Sequence, residues 1–130
     1  MIGWDEILEG GLADGAAVMS WRSMKGGIEA AGMGHEVVMT PAPFTYLDYT
    51  QGDYSVENKI YADLSLQTTY SFDPVPELIL DPELVLGGQG NLWTEEIPNL
   101  QFAYYMTYPR AFALSESLWS PLAAKDYSSF

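Results

Sequence analysis

The sequence predicts an α/β fold made of about four parallel βα units. Short apolar segments of strand length alternate along the chain with helix-compatible segments, and this alternation is typical of a parallel sheet. The continuous apolar run at residues 16–22 is typical of a strand buried on both faces. Hydrophobic residues make up 48% of the chain and aromatic residues 14%, a composition that favours a globular domain.

The predicted elements follow one another at short intervals. Strands are predicted at residues 1–5, 16–22, 35–43 and 83–93. Helical segments are predicted at 6–12, where a turn is the alternative, and at 25–34, 64–76 and 99–119. Gly34 is a stop signal for its helix. Prolines, which cannot donate to a ladder or continue a helix, punctuate the other elements: Pro41 and Pro43, Pro74 and Pro76, and Pro109.

The stretch at residues 44–64 is too long and too polar to be a simple connector. It is rich in Asp, Thr and Gly, and it also carries several tyrosines. Loops of this length in compact domains are usually either functional or disordered, and tyrosine content argues against disorder. We therefore expect a functional loop after the third strand.

Charge and composition exclude several classes of partner. Five Lys and Arg residues stand against eighteen Asp and Glu, for a net charge of -13, so the chain cannot neutralise a run of phosphates. We therefore expect no nucleic acid as partner. We also expect no membrane as partner, since no apolar run approaches the roughly 20 residues of a bilayer span. Without cysteine, and with His35 as its one histidine, the chain has no thiolate or histidine-rich metal site. The sequence assigns no compartment.

Aromatic and acidic residues follow each predicted strand. The carboxyl ends of parallel strands share one edge of a sheet, and closed barrels build their functional sites at that edge. The residues at or beyond the four strand ends are Trp4, Asp5 and Glu6; Trp21 and Arg22; Tyr46 and Asp48; and Trp93, Glu95 and Glu96. We expect Trp4, Trp21, Tyr46, Asp48, Trp93 and Glu95 to lie on the carboxyl-terminal side of one sheet.

These residue types suit a sugar. The axial C–H groups of a pyranose stack on indole faces, while carboxylates accept hydrogen bonds from hydroxyls in fixed directions. Each residue also has a structural alternative: the tryptophans can pack a barrel rim, and Asp48 or Glu95 can be a solvated charge in so acidic a chain.

Six segments in order carry a family resemblance: GWDEI, MSWR, TPAPFTYLDYTQ, YSFDPVP, GGQGNLWTEEI and YPRAFALSESLWS. Together they resemble the second half of the catalytic domain of glycoside hydrolase family 20, the β-N-acetylhexosaminidases. The resemblance implies the second half of a (β/α)8 TIM barrel, strands five to eight, over residues 1–122, with a tail at 123–130. It implies a glycan substrate that ends in N-acetylhexosamine, and neither a metal nor a cofactor.

The resemblance also implies roles for individual residues. Trp4, Trp21 and Trp93 match the aromatic walls around the terminal sugar and its acetamido methyl group. Tyr46 matches the catalytic tyrosine that hydrogen-bonds the acetamido oxygen. Asp48 and Glu95 match the acids that hold the outer hydroxyls. Arg110 and Glu116 match the last helix and are expected to be structural.

Catalysis in the resembled family is substrate-assisted, an exception to the two-carboxylate scheme. The 2-acetamido oxygen attacks the anomeric carbon, a glutamic acid protonates the leaving oxygen, and a neighbouring aspartate orients the amide. Those two acids stand in an H-x-G-x-D-E context that these 130 residues lack. Asp5 and Glu6 form a D-E pair after GW, and the interpretation we favour is that they bond nearby backbone or Arg22. Glu96 is predicted to be an acid at a helix N-terminus.

The chain is therefore expected to be a fragment that is inactive by itself and self-associates through the open edges of a half barrel. One alternative is a non-catalytic carbohydrate-binding or scaffold module that kept the aromatic walls. Another is a different (β/α)8 glycosidase that uses Asp48 with Glu95, which requires two carboxyls about 5 to 9.5 Å apart.

Overall fold

A computed structural model describes residues 1–57 and 61–130 of the chain. The described residues divide into two compact units. Unit 1 comprises Met1–Ala42 and Pro74–Gln89, and unit 2 comprises Pro43–Asp73 and Gly90–Phe130. The long loop predicted at 44–64 belongs to unit 2, and its residues 58–60 lie outside the described residues.

Unit 1 contains a four-stranded sheet whose order follows the sequence, β1-β2-β3-β4, with every pairing parallel. The strands are β1 Ile2–Trp4, β2 Ala17–Ser20, β3 Val37–Met39 and β4 Val85–Gly88. The prediction of an α/β fold with parallel strands is confirmed, and each strand lies inside its predicted segment. Within this sheet, β1 and β4 each have one neighbouring strand.

Helix α1, Lys25–Gly32, packs against β2 and β3. Val18, Val37 and Met39 are fully buried there. The close approach depends on Gly27, since a Cβ atom at that position would lie 2.4 Å from Met39 Cε and 2.9 Å from Val37 Cγ1. Gly34 has a φ of +84° directly after the helix, a conformation that glycine adopts at little cost, so the predicted stop signal is confirmed.

The remaining helices are α2 Ala42–Thr45, α3 Leu66–Tyr70, α4 Leu100–Thr107 and α5 Arg110–Trp119. Short 3₁₀ helices lie at Asp5–Gly10, Pro82–Leu84 and Leu122–Ala124. The predicted interruption near Pro109 is confirmed: Tyr108 has φ -104° and ψ 144°, the extended backbone favoured before proline.

Helix α3 ends earlier than the sequence predicts. Pro74 and Pro76 were expected to stop it, but the helix ends at Tyr70. Phe72 is 1% exposed and stacks on Phe44 with ring centroids 5.8 Å apart. The helix thus ends before either proline, and the ring of Phe72 just beyond it is buried in unit 2.

Residues beyond 122 pack on α3. Tyr127 and Phe130 lie with ring centroids 5.3 and 4.8 Å from Tyr70, and Lys125 Nζ donates to the carbonyl of Phe72 at 3.0 Å. In the ranges 1–57 and 61–130, no helix is both long and apolar enough to cross a membrane.

Candidate functional site

Asp5 joins the ends of β1 and β2 in unit 1. Its side chain is buried, and Arg22 Nε donates to Oδ1 at 2.6 Å. The backbone N–H groups of Trp21 and Arg22 donate to Oδ2 at 3.2 and 3.3 Å. Both carboxylate oxygens are therefore occupied, which confirms the interpretation that Asp5 bonds nearby backbone and Arg22.

Glu6 binds the indole of Trp21. Trp21 Nε1 lies 3.0 and 3.1 Å from the two Glu6 oxygens. A hydrogen bond from the backbone of Glu6 lowers the pKa of this exposed carboxyl. The hydrogen bond from the Trp21 side chain and the charge of Arg22 lower that pKa further. A proton donor at neutral pH needs a raised pKa instead. Glu6 is therefore suited to orienting Trp21 rather than to protonating a leaving group.

In unit 2, the backbone of residues 45–47 pairs with Asn91. Leu47 N donates to Asn91 O at 2.6 Å, and Asn91 N donates to Thr45 O at 2.9 Å. Tyr46 and Asn91 form an isolated parallel bridge. This pairing carries the chain after Gly90 alongside Tyr46, so the Tyr46 and Trp93 ring centroids lie 6.4 Å apart.

Tyr46 is 7% exposed, whereas Trp93 is 41% exposed. Burial raises the pKa of Tyr46, and hydrogen bonding by the side chains of Trp93 and Asn91 opposes that rise. The phenol is therefore protonated at neutral pH and can donate a hydrogen bond. The accessible indole of Trp93 beside it provides an apolar face.

Asp48 is 4% exposed. Among the residues that the structure describes, its Oδ1 atom is buried and has no hydrogen-bond partner. Burial raises the pKa of Asp48, the Glu95 carboxylate adds to the rise, and hydrogen bonds from the backbone of Asp48 and Trp93 and the charge of Arg110 oppose it. Buried polar atoms in native proteins are nearly always satisfied, so this oxygen is an acceptor whose partner is absent from the described residues.

Two acids, Glu95 and Glu96, follow Trp93. Glu95 is exposed and acts on Asp48 through its charge. The prediction that Glu96 is a helix N-terminal acid is wrong. Helix α4 begins at Leu100, and Asn99 caps it by accepting from Phe102 N at 2.9 Å. An asparagine adjacent to the helix provides this cap, and Glu96 lies outside the first turn.

The sequence reasoning missed two residues of unit 2, Asn91 and Tyr49. Asn91 is 7% exposed and pairs with the Tyr46 segment. Tyr49 packs edge-on against Tyr46 with ring centroids 5.6 Å apart. Arg110, expected to be structural, is fully buried and donates to four backbone carbonyls, which confirms the expectation. For Asn91, the one available sequence signal was its place after the closely spaced glycines of the segment GGQGN.

The predicted site residues fall in both units. Trp4 and Trp21 lie in unit 1, and Tyr46, Asp48, Trp93 and Glu95 lie in unit 2. Unit 2 groups a protonated phenol, an accessible indole and a buried carboxylate, which is an arrangement suited to a neutral polyhydroxylated ligand. Within ranges 1–57 and 61–130, no cluster of three or more His, Asp or Glu side chains could hold a metal ion.

The model of glycosyl hydrolase family 20, catalytic domain, matches residues 1–122. A beta-hexosaminidase from Porphyromonas gingivalis is 48% identical over 134 aligned residues, covering 100% of this chain and 17% of that protein. A beta-hexosaminidase from Vibrio furnissii is 34% identical, covering 90% of this chain and 20% of that protein.

A solved structure of the same family is also similar to this chain. The exo-β-N-acetylglucosaminidase of this family from Vibrio harveyi, in complex with N-acetylglucosamine, superposes with a TM-score of 0.88 at 32% identity. The match covers 99% of this chain and 21% of the other. The chain thus spans about a fifth of the length of these relatives.

Proposed function

Because the chain belongs to glycosyl hydrolase family 20, we propose that it supplies the sugar-binding half of the site of a β-N-acetylhexosaminidase. The substrate is a glycan with a terminal, non-reducing, β-linked N-acetylhexosamine, either GlcNAc or GalNAc. The relatives named beta-hexosaminidase support this activity. We assign the four parallel strands to strands five to eight of a (β/α)8 barrel.

The buried, unpartnered Oδ1 atom of Asp48 is the observation that carries the proposal. Leaving a buried charged oxygen unsatisfied costs more than the 1–3 kcal/mol that is typical of a polar group. A sugar hydroxyl would repay that cost by donating to the oxygen in a fixed direction. The neighbouring Glu95 is exposed and is assigned to a second outer hydroxyl.

Tyr46 is the proposed catalytic residue of this chain. Its phenol donates to the acetamido oxygen of the substrate and holds that oxygen against the anomeric carbon, where it acts as the nucleophile. The raised pKa of Tyr46 supports a protonated donor at neutral pH. Trp93, with its ring centroid 6.4 Å from that of Tyr46, is assigned to the apolar face of the same sugar.

Trp4 and Trp21 are proposed as further aromatic contacts of the substrate, on the strength of the family match. Trp21 has the clearer support, because both oxygens of Glu6 hold its indole nitrogen. The general acid and the aspartate that polarises the amide are assigned to sequence other than these 130 residues, since no H-x-G-x-D-E segment is present.

The test uses the full-length protein and a chromogenic aryl N-acetyl-β-glucosaminide. The wild type is expected to hydrolyse the substrate with retention. Asp48→Asn is expected to raise KM by about tenfold or more, as for the loss of a charged hydrogen bond, and Glu96→Gln is the matched control with an unchanged KM. A wild type that binds N-acetylglucosamine without turnover would instead indicate a non-catalytic carbohydrate-binding module.

A further inference from the structure

Arg110 is a buried charge that the proposed reaction does not use. It lies at the start of α5 with no exposed surface. Burial lowers the pKa of Arg110 to about 10, although the charges of Glu57, Asp48 and Tyr105 raise it. The guanidinium therefore stays protonated at neutral pH. Burying a charge costs roughly several kcal/mol unless it is paired or hydrogen-bonded.

Among the described residues, the guanidinium donates to backbone carbonyls through Nη1 and Nη2. Nη2 donates to Leu47 O at 2.6 Å and to Met106 O at 2.5 Å. Nη1 donates to Tyr49 O at 2.7 Å and to Leu64 O at 3.0 Å. One rigid side chain therefore ties α4 and the far end of the loop to the segment around Asp48.

Two of those carbonyls flank Asp48 directly. Leu47 precedes it and Tyr49 follows it, and each is bound by a different nitrogen of the same planar group. A planar guanidinium with fixed donors sets the spacing of the two carbonyls that it binds. The backbone of Asp48 is thus held on both sides, while its carboxylate has one oxygen without a partner among the described residues.

We propose that Arg110 is a positioning residue for sugar binding, which fixes the Asp48 carboxylate by binding the carbonyls of Leu47 and Tyr49. This inference rests on the proposed function. Arg110 touches no substrate in this scheme and acts through Asp48. Its charge also favours the ionised carboxylate, which is the form that accepts hydrogen bonds from sugar hydroxyls.

The charge effect has a defined sign. Asp48 faces the negative Glu95 and the positive Arg110, and Arg110 in turn faces Glu57, Asp48 and Tyr105. Removal of the guanidinium charge takes away a cause that lowers the pKa of Asp48. The carboxyl then becomes protonated at higher pH. The acidic limb of sugar binding, which is the loss of affinity for N-acetylglucosamine as the pH falls, therefore moves toward neutral pH.

The experiment compares four full-length proteins: wild type, Arg110→Met, Arg110→Lys and Ser117→Ala. Ser117 is the matched control, because it is buried in the same helix and donates to Tyr70 O at 2.9 Å rather than to a carbonyl next to Asp48. The readouts are the melting temperature, kcat, KM, and the inhibition constant of N-acetylglucosamine as a function of pH.

Arg110→Met is expected to weaken N-acetylglucosamine binding by roughly tenfold or more and to move its acidic limb to higher pH. Arg110→Lys keeps the positive charge but loses the planar guanidinium with its fixed donors. Its affinity for N-acetylglucosamine is therefore expected to fall, while its acidic limb stays near that of the wild type. Ser117→Ala lowers only the melting temperature. Normal affinity and a normal acidic limb in Arg110→Met would overturn the inference, and if that variant does not fold, normal affinity in Arg110→Lys would do so.

The wild type separates the two proposals. If it neither hydrolyses the aryl substrate nor binds N-acetylglucosamine, the proposed function fails, and the role of Arg110 fails with it. If it does both while the Arg110 variants bind the sugar normally, only the positioning role is wrong.

Discussion

Glu6 holds the indole nitrogen of Trp21 with both carboxylate oxygens, at 3.0 and 3.1 Å. The pair is separated by fifteen residues in sequence. It joins the 3₁₀ helix after β1 to the residue that follows β2. A tryptophan proposed to contact sugar is thereby held in one orientation by an acid that could be mistaken for a catalytic one.

Glu6→Ala in the full-length protein is therefore expected to raise KM several-fold with a smaller change in kcat. The physical reason is that Trp21 loses its orientation while the proton donor is untouched. Loss of a general acid would instead lower the rate by about 10²–10⁴, most severely for a substrate with a poor leaving group. Kinetics on an aryl substrate and on a disaccharide distinguish these cases, and a collapse of kcat on the disaccharide alone would make Glu6 the donor.

Tyr46→Phe is expected to lower kcat more than it raises KM. A hydrogen bond to the acetamido oxygen matters most as that oxygen becomes a nucleophile. One such donor is worth roughly 10²–10³ in rate where it faces developing charge, and we expect less here because an aspartate also orients the amide. Tyr49→Phe, a ring packed 5.6 Å away, is the matched control. An unchanged kcat in Tyr46→Phe would remove this residue from the mechanism.

Asp48→Asn is expected to stabilise the protein near neutral pH while it weakens sugar binding. The pKa of Asp48 is raised in the folded state, so the folded protein binds a proton more readily than the unfolded chain. Ionisation of Asp48 therefore removes stability as pH rises through the folded pKa. The neutral amide avoids that loss.

Thermal unfolding at several pH values checks this expectation. The advantage of Asp48→Asn should be present near pH 7 and should shrink as the solution is acidified below the ordinary pKa of a carboxyl, where the wild-type group is protonated in both states. Glu96→Gln is the control, since Glu96 is exposed. A lower melting temperature for Asp48→Asn at pH 7 would mean that its carboxylate supports the fold rather than a ligand.

The parallel strands could be predicted because each is a local apolar run between turn signals. The partners of the site residues could not. Asn91 meets Tyr46 through backbone bonds, and Arg110 reaches Leu47 and Tyr49 across more than sixty residues. These contacts depend on tertiary packing, which no local pattern encodes. Helix α3 also ends at Tyr70, before the prolines that were expected to stop it.

Residues 1–130 expressed alone are expected to self-associate and to leave an aryl N-acetyl-β-glucosaminide uncleaved. The activity expectation follows from the missing H-x-G-x-D-E segment. The association expectation follows from the sheet, in which β1 and β4 each have one neighbouring strand. Their edge residues Ile2 and Leu86 are 53% and 56% exposed, and an exposed apolar edge recruits other chains.

Light scattering on the purified chain measures the association directly. Leu86→Lys places a charge on the β4 edge, which should disfavour strand pairing and lower the average mass. Leu80→Lys adds the same charge at a position that is 96% exposed and lies outside the four strands, so it separates an edge effect from a general change in net charge. An equal fall in mass for both variants would point to charge alone, and a monomeric wild type would show that these edges do not pair.

Turnover by the wild-type chain that Glu6→Ala abolishes would restore Glu6 as the proton donor and contradict the assignment of the acid pair to other sequence.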